Sequence, residues 1–141
     1  PTDIYVSTSA AGTVGALSYG SEDILKWDGS AWSVWFDGSD AGLVAKNAQH
    51  NINAFYIPEV GDEVLIAFAQ NARVVPGITG KVDGTDIVRW NGTAFSLVFD
   101  GQDVGLTQLT NEKIDGLHEL APALAPAAVK ATSCWTARPR V

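Results

Sequence analysis

The sequence is short of the residues on which several common chemistries depend. It holds a single cysteine in 141 residues, Cys134, so no internal disulfide can form, and no catalytic partner motif surrounds that thiol. It has no methionine and begins at Pro1 with no visible signal peptide, which reads as a processed product or a fragment of a longer reading frame. No apolar run approaches the ~18 residues of a membrane span, and no amphipathic helical stretch precedes Leu120. There is no glycine-rich phosphate loop, no HExxH, no CxxC pair and no GxSxG. Positive charge is scarce: nine Lys and Arg stand against sixteen Asp and Glu, a net charge of −7. Three of the nine bases, Lys130, Arg138 and Arg140, follow the last acid, Glu119. The chain up to that point therefore carries six bases and sixteen acids, near −10. Such a balance argues against nucleic acid or an anionic membrane as partner and favours a cation or a neutral or cationic small molecule.

What is present is a repeat. Glu22 to Leu43, EDILKWDGSAWSVWFDGSDAGL, returns 63 positions later as Thr85 to Leu106, TDIVRWNGTAFSLVFDGQDVGL, with 12 of 22 residues identical. Periods of this length mark architectures built from one supersecondary unit used more than once. The hydrophobic share of 46% and charged share of 18% are those of a folded chain. At this length a globule buries roughly 70% of its unfolded surface.

Short runs rich in β-branched and aromatic residues predict strands over 3–8, 23–27, 31–36, 52–57, 63–69, 86–90, 94–99 and 114–120. Asp28-Gly29 and its copy Asn91-Gly92 predict two-residue hairpins. The second also completes an Asn-Gly-Thr glycosylation sequon, which the turn alone explains. Ala10 to Ser21 and Gln70 to Thr85, small and glycine-containing, read as loops. The expected fold is all-β. Four strands per repeat, joined in sequence, read as an antiparallel β-propeller blade. With strands lettered a to d from the centre, the chain runs b-c-d, a-b-c-d, a over residues 1–120. Two blades cannot close a ring of roughly four to eight. Uncovered blade faces mark association sites, and head-to-tail contacts that close give a cyclic oligomer. A homotrimer with six blades is favoured over a tetramer with eight. From Ala121 the repeat stops. Residues 121–141, rich in alanine and proline, read as a disordered or loosely docked tail, or as a stretch foreign to the native frame.

The pattern DI-(L/V)-(K/R)-W-(D/N)-G-x-A-(W/F)-S-x-x-F-DG-x-D-x-GL resembles repeats of large bacterial secreted proteins that look like β-propellers. The resemblance covers about residues 3–120. It implies the fold and a secreted bacterial parent, and implies no particular activity.

Candidate chemistry lies on the long loops. Asn53 and Asp115 are equivalent positions at the start of strand a and would face the mouth of a central channel. Several copies would gather carboxylates and amides there, which repel unless a cation offsets them, and oxygen ligands of this kind suit Ca²⁺ or another divalent metal. Six-bladed hydrolases of the paraoxonase, diisopropylfluorophosphatase and gluconolactonase type hold Ca²⁺ in this position, an analogy of fold only. It implies a metal-dependent hydrolase of phosphoesters, esters or lactones, with the metal on Asn53 and Asp115 acting as Lewis acid. The catalytic set is then His50, Asp115 and His118, with His50 as general base. His118 also leaves a transition metal open. The alternative is a noncatalytic binding or structural propeller module. Asp37/Asp40 and Asp100/Asp103 are turn formers or rim Ca²⁺ ligands. Asp23 and Asp86 are expected to bond to the adjoining loop.

Overall fold

In the computed structural model, which describes residues 2–44, 49–59, 61–69, 74–106 and 113–120, the chain is all-β. Among the described residues nine strands form three antiparallel sheets. β1 (Ile4–Val6), β4 (Ile24–Trp27) and β5 (Trp32–Phe36) make one sheet in the order β1-β4-β5. β6 (Ile52–Tyr56), β7 (Val64–Phe68), β8 (Ile87–Trp90) and β9 (Phe95–Phe99) make a four-stranded meander in sequence order. Among the described residues β2 (Gly12–Val14) and β3 (Leu17–Tyr19) pair only with each other.

The two larger sheets are built alike because their sequences are copies. In one, Ile24 pairs with Phe36 and Trp27 with Trp32; in the other, Ile87 pairs with Phe99 and Trp90 with Phe95. Both carry an irregularity after the first of these residues, between Ile24 and Leu25 and between Ile87 and Val88. The turn after each pair of strands is also duplicated. Leu43 N–H donates to Gly38 O at 2.8 Å, and Leu106 N–H to Gly101 O at 2.9 Å. Gly42 (φ 84°) and Gly105 (φ 87°) sit where the chain needs the left-handed region.

The first sheet packs against the second. Ile24, Phe36 and Leu43 meet Val64, Ile66 and Val88, the last three with no exposed surface. Phe36 stands edge-on to Trp90, ring centroids 6.2 Å apart. β7 is buried at all five positions, as expected of a strand covered on both faces.

Three expectations are corrected. Ala10 to Ser21 is a hairpin, β2–β3, reversed at Gly15 (φ 60°), where a loop was expected. The Asp28 and Asn91 connections are four residues long, where two were expected. Asp28 Oδ1 accepts from the N–H of Ser30 (2.8 Å) and Ala31 (2.9 Å), and Asn91 Oδ1 from those of Thr93 (3.0 Å) and Ala94 (2.9 Å). These side-chain bonds act alongside backbone bonds from Asp28 N–H to Ala31 O and from Asn91 N–H to Ala94 O, both 3.3 Å. Finally, residues 114–120 join no sheet. The segment enters as β6 does, though: Ile114 N–H donates to Gly84 O (2.9 Å) as Ile52 N–H donates to Ser21 O (3.1 Å). What it lacks among the described residues is a neighbouring strand in a sheet. The expected tail, 121–141, lies outside the described residues.

Candidate functional site

Each repeat has one buried aspartate that ties the start of a strand to two loops. Asp23 Oδ2 accepts from Gly20 N–H (2.6 Å) and its Oδ1 from Gly38 N–H (2.9 Å). Asp86 Oδ2 accepts from Asp83 N–H (2.9 Å) and its Oδ1 from Gly101 N–H (3.0 Å). Burial nevertheless pushes the Asp86 carboxyl above its usual range, against the pull of the two N–H donors and with help from Asp83 and Asp100 nearby. Asp83 is itself buried; its Oδ1 accepts from the Thr85 N–H and hydroxyl, and its Oδ2 from the Gln102 amide at 3.0 Å. The loops are held from outside as well. Asp37 Oδ1 accepts from the Ser39 hydroxyl (2.7 Å) and Asp40 N–H (3.1 Å), and Asp100 Oδ1 from Gln102 N–H (2.9 Å). The Ser39 hydroxyl, with the Asp40 and Ser39 N–H groups, holds the Asp37 carboxyl below its ordinary value. These aspartates act as turn formers.

The proposed channel residues fall into two groups. Asn53 is exposed and its Nδ2 donates to Ile114 O at 2.8 Å. Asp115 follows, also exposed, and the His118 ring stands edge-on to Tyr56 with centroids 5.3 Å apart. Asn53, Asp115 and His118 thus share the strip where residues 114–118 run beside β6. His50 engages other partners. It is 3% exposed. Its Nδ1 accepts from Val44 N–H (2.8 Å), so Nε2 carries the proton and donates to Val74 O (3.0 Å). Its ring lies edge-on to Phe68, 5.4 Å away. Both nitrogens are committed to backbone, joining the loops before β6 and after β7. Among the described residues no three of His, Cys, Asp and Glu gather closely enough to hold a metal ion.

A residue outside the expected set is Glu22. It is 5% exposed and its Oε2 has no hydrogen-bond partner among the described residues. Desolvation raises its pKa above the ordinary value, and Asp23 and Asp37 add to the rise. Gly20 and Gly38 pack directly on it; a Cβ at Gly38 would collide with the Glu22 carbonyl oxygen. The copy of Glu22 is Thr85, whose hydroxyl finds Asp83. The clue in the sequence was the mismatch itself, a carboxylate where the repeat has a hydroxyl.

A raised folded-state pKa means that ionising Glu22 opposes folding. Its contribution is most favourable below its unfolded value, near 4.5, and is lost as pH rises through the folded value. Glu22→Gln is therefore expected to be more stable than the wild type at neutral pH, on the order of 1 kcal/mol. The difference should shrink as the pH falls towards 4.5. Denaturant melts of both chains across that window check it; a variant less stable at pH 7, or a constant difference, would contradict the assignment.

Comparison with protein-family models, with curated proteins and with solved structures finds no match to this chain. The functional reading therefore stands on the geometry alone.

Proposed function

We propose that the chain is a noncatalytic, self-assembling module: two β-propeller blades that close a ring head to tail with further copies, three chains being favoured. The observation that carries this reading is the duplicated architecture with unequal burial. Phe36 is 6% exposed against the second sheet, while its copy Phe99 is only half-buried. A second sheet built to be covered, with no further four-stranded sheet among the described residues to cover it, calls for another chain. The bonds of Ile114 and Asn53 support the same reading, since they bring residues 114–118 beside β6, as adjacent inner strands of a propeller would lie.

A hydrolase at the hub is the second reading. It draws on one feature: the Asn53 amide nitrogen donates to Ile114 O, next in sequence to the exposed Asp115. One chain offers one such pair, so Ca²⁺ or another divalent metal would need several copies for its six to eight oxygens. His50, with both nitrogens engaged, has no lone pair to offer as base in this arrangement. The two readings separate on chelation. The noncatalytic module predicts the same sedimentation coefficient and thermal midpoint with and without EDTA. Dissociation by EDTA, or ester hydrolysis lost in Asp115→Asn, would favour the hydrolase.

A further inference from the structure

The contact between the two sheets shows what each free face is shaped to meet. Within the chain, the first sheet presents Ile24, Trp35, Phe36, Ala41 and Leu43 to the core. Their copies in the second repeat are Ile87, Val98, Phe99, Val104 and Leu106. Three of these are large apolar residues left in water: Val98 is 47% exposed, Val104 64% and Leu106 38%. At the other end, the face of the first sheet that corresponds to the receiving face of the second is buried at Leu25 but open at the Ile4 end. Ile4 pairs with Trp27 as Val64 pairs with Trp90, yet Ile4 is 53% exposed where Val64 is fully buried.

The two ends match in detail at one cleft. In the second repeat, Trp90, Thr93, Ala94 and Phe95 line a cleft of about 280 Å³, which Asp40 and Ala41 of the first repeat wall on one side. In the first repeat the copies of those four residues, Trp27, Ser30, Ala31 and Trp32, line a cleft of about 570 Å³ against the β2–β3 hairpin. Among the described residues nothing there takes the place of Asp40 and Ala41. Their copies are Asp103 and Val104, which lie exposed on the 3₁₀ turn Gln102–Val104.

We infer that the Asp103–Val104 turn of one chain enters the Trp27–Trp32 cleft of a second copy, repeating between chains the packing that joins the two repeats within one. The occupant is another copy because the template is the chain's own internal contact, and because two repeats are too few for a chain to close on itself. The contact is heterologous, turn into cleft, so it leaves a free turn and a free cleft until a ring closes. The inference rests on the self-association reading and adds the surfaces through which it acts.

The full-length chain tests it by size-exclusion chromatography with light scattering at matched concentrations. Val104→Asp puts a charge into the cleft and is expected to weaken association at least tenfold. Val74→Asp, at a site 67% exposed and outside the 85–106 repeat, should associate as the wild type does. Both should keep the wild-type circular dichroism. Ala31→Arg, which fills the cleft, should also run as a single chain. Mixed with Val104→Asp it should give a one-to-one dimer, because one intact turn and one intact cleft remain. A wild type that associates while Val104→Asp associates equally well would overturn this contact and leave self-association standing. So would loss of association in Val74→Asp as well, or failure of the two single-chain variants to pair. A wild type that is single-chain at every concentration would end both.

Discussion

Asp86→Ala is expected to lose about 3 kcal/mol of folding stability, a large share of the 5–15 kcal/mol typical of a domain. The carboxylate is 3% exposed and is the acceptor for two backbone N–H groups on different loops. Removing it orphans both donors, each at about 1–3 kcal/mol, and leaves the bond from the Gln102 amide to Asp83 to hold the two turns together. Its neighbours leave little room for repair. A Cβ at Gly101 would collide with Thr85, so the two loops pass at backbone distance and depend on the aspartate to hold them. Asp86→Asn should recover only part of the loss, since one amide oxygen cannot replace two carboxylate oxygens and the NH₂ group faces a donor. Asp23→Ala should behave alike, because Asp23 makes the matching pair of bonds to Gly20 and Gly38. Urea titrations monitored by tryptophan fluorescence give the numbers. A loss below ~0.5 kcal/mol, the scale of ordinary surface substitutions, would contradict the role given to these residues.

Phe36→Ala is expected to cost about 4 kcal/mol, in the range for truncating a buried aromatic side chain. Phe36 is a main contact of the first sheet with the second: it pairs with Ile24, which is fully buried, and lies against Trp90. Its copy offers an internal control. Phe99→Ala removes a residue that is only half-buried in the single chain, so in the dissociated protein it should cost clearly less. In an assembly that covers the second sheet, the Phe99 penalty should grow towards that of Phe36 as protein concentration rises. Stability curves of both variants at two concentrations separate these cases. Equal penalties that ignore concentration would mean that the second sheet meets no partner.

The repeat made much of the fold legible. A period of 63 and strongly β-forming runs located seven strands within a residue or two of their final bounds, and alternation was informative wherever a strand had one buried face. Two failures have different causes. The β2–β3 hairpin was hidden because Gly12, Thr13 and Ser18 give too weak an apolar pattern to separate it from a loop. Residues 114–120 do match β6 in sequence, but a strand needs a hydrogen-bonding neighbour, and pattern cannot say whether the same chain supplies one.

The candidate site was less legible, because the same residue types serve structure and chemistry. His50 stood on a polar loop and looked available as a base; only its burial and its bonds to Val44 and Val74 show how it is used. Asp23 and Asp86, which open equivalent strands, were readable as loop fasteners from their repeated position. Glu22 was not, since an acidic residue before an aspartate looks like ordinary surface charge until its burial is known.

A native mass spectrum of the untagged chain is the most direct measurement of whether these two-sheet units finish a ring by joining. A dominant species at three times the 14.9 kDa chain mass, unchanged by chelator, is the predicted result. A single-chain mass that persists as concentration is raised would contradict it.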